Sequence, residues 1–518
     1  MRTVADLMSS PAVTAVAGES LAAAAERMRH AGVGSVVVVD GARPVGILTE
    51  RDLVRATAAG ADVSTAAVGA WMTPDPDCVG TDVEVAEAWR SLAAHGYRHI
   101  PVVVSGEVKG VVSMRDLMGV AQLRPVDGSF TDAPRGLKGV VVAETALGDV
   151  RGLEGFYHYR QYSAVEISER LQFEDAWQLL IDGHLPDQSE RDAFAAEVRE
   201  LRRLPASISA VLPAVAAASD PAAGPLAGMR TAVSLLGAAE GFRPSLDVDR
   251  SVLRANALRV CAVVPTMIAA LHRLAHGLDP LEPRDDLGHV ANYLYMLFGE
   301  EPDARRARAI EQYMTSTIDH GFNASTFTAR VTTSTGADLV SAVVAAIGSL
   351  SGPLHGGAPS RALDTLDAIG SPERTNGWVR DAVANGQRIM GFGHPVYKTY
   401  DPRSAMLRDI ARSFGGERVE FAEKVEAAVL RTLAELKPDQ QLHTNVEFYA
   451  GIVMELCGLP RSLFTPTFAA SRTIGWCAQI LEQAADNRII RPSARYVGPK
   501  SRPVSDVPGA SEVLDRAV

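Results

Sequence analysis

Residues 389–404 read IMGFGHPVYKTYDPRS, and residues 352–357 and 443–451 read GPLHGG and HTNVEFYAG. Each of the three segments sets one proton-handling side chain, His394, His355 or Glu447, close to glycines, where backbone can approach a substrate. His355 follows the apolar run Leu339–Leu350 and is flanked by Leu354 and Gly356, so it does not read as core filler. Two histidines, one carboxylate and Arg403 together suit a reaction that makes an enolate and then traps it.

The rest of the chain sets the frame. At 518 residues it is too long for one core. With 47% hydrophobic and 22% charged residues it has the composition of an ordinary globular protein. The net charge of −11 argues against nucleic acid as the main partner, so an anionic substrate needs local arginines. Cys78, Cys261, Cys457 and Cys477 show no CxxC spacing and read as free thiols in a reducing compartment. The amino end MRTVADLMSS lacks an apolar signal core, and apolar runs such as Val260–Leu271 are too short to cross a bilayer. A cytoplasmic protein with no membrane partner is expected. No HExxH, P-loop or GxGxxG after a strand is present, so neither a metal nor a resident cofactor is expected.

An internal repeat occupies the first 120 residues or so. Val4-Ala-Asp-Leu-Met8 returns as Val68-Gly-Ala-Trp-Met72, and Gly46-Ile-Leu-Thr49-Glu-Arg-Asp52 returns as Gly110-Val-Val-Ser113-Met-Arg-Asp116. Between them lie an amphipathic stretch (Leu21–His30, Val85–His95) and a β-branched run (Ser35–Val39, Ile100–Val104). This is the pattern of a small α/β unit that must pair to bury its sheet. The repeat resembles a tandem cystathionine β-synthase (CBS) domain, a sensor of adenine nucleotides. That resemblance implies contacts to AMP, ADP or ATP from Thr49 and Asp52 in one copy and Ser113 and Asp116 in the other. Arg51, Arg98 and Arg115 are available as phosphate charge. The residues alone allow a second reading, in which Thr49 and Ser113 only cap the helices that follow.

Residues 122–135, QLRPVDGSFTDAPR, have a linker's composition. Leu137–Thr145 alternates weakly, as a short strand does. Beyond it the periodicity is helical, with Ser189 and Asp192 as cap residues for a helix bearing Phe194, Val198 and Leu201, and further helical periods at Ala257–Leu274, Val290–Phe298 and Ala304–Met314.

From about Gly136 to Gly498 the wording resembles the citrate synthase family. Gly155-Phe-Tyr-His-Tyr-Arg160 is similar to the family's early segment, with Gln161 in place of a glycine. The resemblance implies a mainly α fold in which a small helical domain interrupts a large one. The expected organisation is CBS copies at 1–60 and 61–121, linker 122–135, large domain 136–357, small domain 358–459, return to the large domain 460–498, and tail 499–518. His355 would donate to the thioester oxygen, and His394 would polarise the oxaloacetate ketone. Glu447 would be the general base, where the family has aspartate. His320, Arg403 and Arg472 would bind oxaloacetate, with Arg491 supplied by a partner subunit of a homodimer. Gly391, Gly393 and Lys398 would contact coenzyme A, which enters only as part of acetyl-CoA. Pro395 stands where many bacterial members have arginine. Two alternatives stay open: a 2-methylcitrate synthase using propionyl-CoA, and a nucleotide-sensing regulatory protein whose longer Glu447 arm has impaired proton abstraction.

Overall fold

The computed structural model describes residues 3–85, 87–88, 91–92, 97–113, 133–137, 139–356, 358–393, 396–397, 399–501 and 503. His394, Lys398, Arg115 and Asp116 therefore lie outside the described residues, as does most of the 122–135 linker. The chain forms two compact units, Met1–Lys138 and Gly139–Val518.

In the first unit β1 (Thr14–Ala15), β2 (Ser35–Asp40), β3 (Arg43–Thr49) and β4 (Thr73–Pro74) make one sheet in that order. A second sheet is built from β5 (Val79–Gly80), β6 (His99–Val104) and β7 (Glu107–Ser113). The repeat is exact at the level of register: Ser35 opposes Thr49, and His99 opposes Ser113, with an irregularity one residue past Val38 and past Val102. Val36, Val37 and Val38 are fully buried. Burying side chains of this kind contributes about 1.5–3 kcal/mol each.

The two copies exchange their leading turns. Val4 packs with Val85, Ile100 and Val112 of the second copy, while Val68 packs with Leu21, Val36 and Leu48 of the first. The repeated glycines explain the fit. A Cβ on Gly46 would come within 3.0 Å of Met72 Cγ and closer to its sulfur, and one on Gly110 would meet Met8 Sδ at 2.8 Å. Each strand thus carries a notch for the other copy's methionine.

In the second unit β8 (Gly148–Arg151), β9 (Phe156–Tyr159) and β10 (Tyr162–Ser163) form a small antiparallel sheet; the rest is helical. The strand expected at 137–145 is absent. Gly136 and Gly139 have φ near 71° and 78°, and Val141 is 84% exposed, so no neighbour pairs this stretch. The helix expected to start at Ser189 starts at Gln188. Its cap is Asp187, which accepts from Glu190 N while Glu190 Oε2 accepts from Asp187 N. This reciprocal pairing satisfies two otherwise open donors.

The core is centred on two long helices, Arg250–Ala275 and Phe464–Ala485. The first has the length and composition to cross a membrane, longer than its apolar run suggested, yet 72% of its most apolar window is buried in the protein. It reads as the core helix of the unit. The second helix carries Arg472 and, one turn on, Gly475. A Cβ at Gly475 would collide with the Ile318 carbonyl oxygen. This glycine lets the helix lie directly against the chain that leads into His320.

Candidate active site

Buried Asp401 organises one side of the site. It caps the Pro402–Phe414 helix, and its Oδ1 accepts from the Arg403 backbone N–H and from Arg403 Nε, both at 3.0 Å. Its Oδ2 accepts from Arg403 Nη2 at 2.8 Å and from the Val446 N–H at 3.2 Å. Nη1 is the guanidinium nitrogen that Asp401 does not engage. The Arg403 guanidinium lies 5.7 Å from the Tyr157 ring centroid and 5.8 Å from that of Tyr397. His320 shares both rings, at 5.3 and 5.5 Å, and its Nε2 is 3.0 Å from the Tyr397 hydroxyl.

Glu447 is the second residue of the Val446–Leu456 helix, whose cap Asn445 accepts from the Glu447 N–H at 3.2 Å. Its Oε2 is buried without a hydrogen-bond partner. Burial pushes the Glu447 carboxyl above its ordinary range, and the charge of Arg403 opposes that shift. An acceptor held dry and unpaired is what a general base needs before its substrate arrives.

His355 sits in a tight turn after the Leu339–Leu350 helix, closed by Gly356 N donating to Leu350 O at 3.0 Å. A Cβ on Gly356 would lie 2.5 Å from that same oxygen, so only glycine fits. His355 Nε2 is 2.8 Å from Ser325 Oγ, which accepts from Trp476 Nε1 at 3.1 Å and donates its one proton to Asn323 Oδ1 at 2.8 Å. With that proton on Asn323, the neutral imidazole gives its Nε2–H to Ser325 Oγ. Burial, followed by the charge of Arg472, pulls the His355 pKa down to about 4. Arg472 is itself buried, donates from Nε to Thr317 O at 2.8 Å and stacks 4.8 Å over Phe468. The charges of Arg472, Glu447 and Arg403 all act on the hydroxyl of buried Tyr313, after the larger effect of its burial.

Gly391 and Gly393 bracket Phe392, which bridges Thr444. Asn445 N donates to Gly391 O at 2.9 Å, Gly393 N to His443 O at 2.8 Å, and Asn445 Nδ2 to Gly393 O at 2.9 Å. The Gly393 amide is therefore engaged by the protein and not offered to a ligand in this conformation. A Cβ at Gly391, where φ is 92°, would press on the Phe448 ring at 3.0 Å. Beside this pairing lies a cavity of about 390 Å³ lined by Tyr397, Thr399, Asp401 and residues 439–444.

The fold thus gathers His320, His355, Arg403, Glu447 and Arg472; His394 lies outside the described residues. Arg491 is exposed, in an extended stretch after the last long helix that is tied down by Ile490 N donating to Ser334 Oγ at 3.0 Å. Ser325, Asp401, Tyr157 and Tyr397 are functional neighbours that sequence reasoning missed. The signal for Ser325 and Asp401 was present, since both sit inside the segments around His320 and Arg403.

In the first unit, Asp52 Oδ2 accepts from Thr49 N at 2.9 Å and Thr49 Oγ1 at 2.7 Å, and Arg55 pairs with Oδ1 at 3.2 Å. Local capping accounts for the Thr49 bonds, and the Arg55 contact is an ion pair one turn along the same helix. Ser113 ends β7 opposite His99.

Among family models, "Citrate synthase, C-terminal domain" matches residues 136–493, and "CBS domain" matches 4–59 and 68–122. A citrate synthase from Synechocystis sp. is 38% identical over 387 residues, covering 74% of this chain and 94% of that protein. A 2-methylcitrate synthase from Mycobacterium tuberculosis is 38% identical over 375 residues, covering 72% of this chain and 92% of that protein. A solved citrate synthase from Thermoplasma acidophilum, described as a ternary complex with carboxymethyl coenzyme A and oxaloacetate, superposes with a TM-score of 0.67. It is 27% identical, with 73% of this chain and all of that one covered.

The low pKa of His355 generates a prediction. The folded state binds its proton more weakly than the unfolded chain, where an imidazole titrates near 6.5. This group's contribution to stability is thus intact above pH ~6.5 and is lost as pH falls from there toward about 4. Nitrogen NMR of labelled histidine should show His355 neutral at pH 6. A His355 midpoint between pH 6 and 7 would contradict the assignment.

Proposed function

The chain belongs to the citrate synthase family, is an acyltransferase of that type and carries a tandem CBS pair, and on that premise we propose that it condenses acetyl-CoA with oxaloacetate to citrate and coenzyme A. The observation that carries the reading is the buried, unpaired Oε2 of Glu447 in a site that also holds two buried arginines and a neutral histidine. Glu447 takes a methyl proton from acetyl-CoA while the neutral His355 donates to the thioester oxygen. A neutral donor stabilises the enol without first having to lose a proton of its own. The enol carbon attacks the oxaloacetate ketone, which His394 polarises, and water then cleaves the citryl thioester. Arg403 through Nη1, Arg472 and His320 hold the two carboxylates; guanidinium groups suit them because they stay charged and bind in a fork.

The cavity beside residues 439–444 is of a size for the coenzyme's arm, and the family resemblance keeps Gly391 and Lys398 as candidates for contacts to the coenzyme. The carboxymethyl coenzyme A and oxaloacetate of the Thermoplasma structure support this pair of substrates. The 2-methylcitrate synthase relative keeps propionyl-CoA as the second acyl donor. One methylene discriminates only about 10- to 200-fold in a pocket, so coenzyme A release from the two thioesters is the deciding comparison.

Glu447→Gln keeps the side chain's size and removes the ionisable acceptor. Turnover should fall at least about a hundredfold with oxaloacetate binding retained. Near-normal turnover in this variant would sink the assignment of the base. Glu447→Asp probes the longer arm. It should lower activity, because a shift of about 1 Å in a reacting group costs on the order of a hundredfold.

Arg491, exposed in a single chain, would complete the site of a partner in a homodimer with two-fold symmetry. Arg491→Ala and His394→Ala chains should each be poorly active alone and recover activity when mixed, since one site per mixed dimer is intact. If subunits demonstrably exchange and activity stays lost, the shared site is refuted.

The CBS pair would sense an adenine nucleotide. A ligand shifts activity only by its differential affinity for two states, so a change of roughly 5- to 150-fold is expected on adding AMP, ADP or ATP. Asp52→Ala with Asp116→Ala should abolish that response and spare basal turnover. Calorimetry that finds no binding of these nucleotides to the full chain would remove the sensor role.

A further inference from the structure

Glu426, on the Glu417–Leu436 helix, is a buried acid that the proposed reaction leaves without a task. Its carboxylate divides between two hydroxyls. Oε1 accepts from Thr444 Oγ1 at 2.5 Å, and Oε2 accepts from the Tyr449 hydroxyl at 2.5 Å. Hydroxyls that donate to a carboxylate make shorter and stronger bonds than neutral pairs do. Thr444 is 8% exposed and Tyr449 is fully buried, so neither hydroxyl has water to fall back on.

The two partners bracket the site. Thr444 precedes the cap Asn445 and bridges Phe392, within the pairing that carries the chain into His394. Tyr449 stands on the same helix as Glu447, two residues further on. One carboxylate on a neighbouring helix therefore grips both the turn before the base and the first turn of the helix that bears it.

We propose that Glu426 is a positioning residue of the enolising step, setting Glu447 and the 391–393 segment relative to each other through Thr444 and Tyr449. It touches neither substrate nor reacting atoms. The dicarboxylate clamp does not depend on it, because Asp401 holds Arg403 and the Thr317 carbonyl holds Arg472. This separates the inference from a bland structural role. A core acid needed only for folding would lower stability and leave the turnover of the folded enzyme unchanged.

The inference rests on the reading of Glu447 as base, and the test uses the full-length enzyme. Glu426→Ala should lower kcat by about 10- to 100-fold, as expected for a base displaced by up to about 1 Å. The oxaloacetate KM should stay within about threefold, the split expected for a step-specific loss. Deuterium uptake from solvent into the acetyl-CoA methyl, followed with malate in place of the ketone, should fall in parallel. Glu426→Gln still offers an amide of the same shape to both hydroxyls and should recover most of the loss. Thr444→Val with Tyr449→Phe should reproduce the Glu426→Ala effect, and should add nothing to it in combination. If Glu426→Ala does not fold, the Thr444→Val and Tyr449→Phe single variants carry the same comparison. A folded variant with unchanged kcat, a rise in KM alone, or a Glu426→Gln variant no better than Glu426→Ala would overturn the proposal. Loss of activity in Glu447→Gln alongside a fully active Glu426→Ala would sink this inference alone. An active Glu447→Gln would sink the base assignment on which it rests.

Discussion

A single buried carboxylate, that of Asp401, receives four donors: three from Arg403 and one from the backbone of Val446. Removing an ion pair from water is costly, and the cost is tolerable only when remaining lone pairs are satisfied. Here they are satisfied by the two elements that the chemistry needs. Arg403 opens one helix and Glu447 opens another, and Asp401 ties both helix starts together. Pro402, at the first position of its helix, has no N–H to compete for the same oxygens.

Burial then acts on the two proton-handling groups in opposite senses. It raises the carboxyl of Glu447 and lowers the imidazole of His355. Both shifts disfavour the charged form. In the proposed reaction the Glu447 carboxylate, once ionised, has the higher proton affinity with which to draw on a weakly acidic methyl, and His355 acts as a neutral donor. No separate device is required for either shift, because one dry cleft supplies them.

Much of this was legible in the sequence because certain residue types leave few alternatives. Glycines beside His355 and before His394 marked backbone that must come close to something, and Gly356 against the Leu350 carbonyl shows that pressure directly. The repeat with its Thr49–Asp52 end was readable as a helix start, and the helix starts there. Ser325 and Asp401 lay inside segments already singled out without their roles being readable, and Tyr157 and Tyr397 were not legible as site residues. A serine or tyrosine acquires a role only from what stands across the fold, and no periodicity encodes that. The strand expected at 137–145 failed for a related reason, since alternation suggests a strand but only a partner makes one. The long core helix was underestimated because arginines at its amino end interrupt its apolar run without interrupting its hydrogen bonding.

The exchange of Met8 and Met72 between the notches at Gly46 and Gly110 bears on what can stand alone. A single copy, cut out at the repeat boundary, would keep its notch and lose the side chain that fills it, while its own methionine would have nowhere to go. Two copies close each other's surface, and a third added in series would leave both its notch and its methionine unmatched. The smallest unit that can stand closed is accordingly the couple.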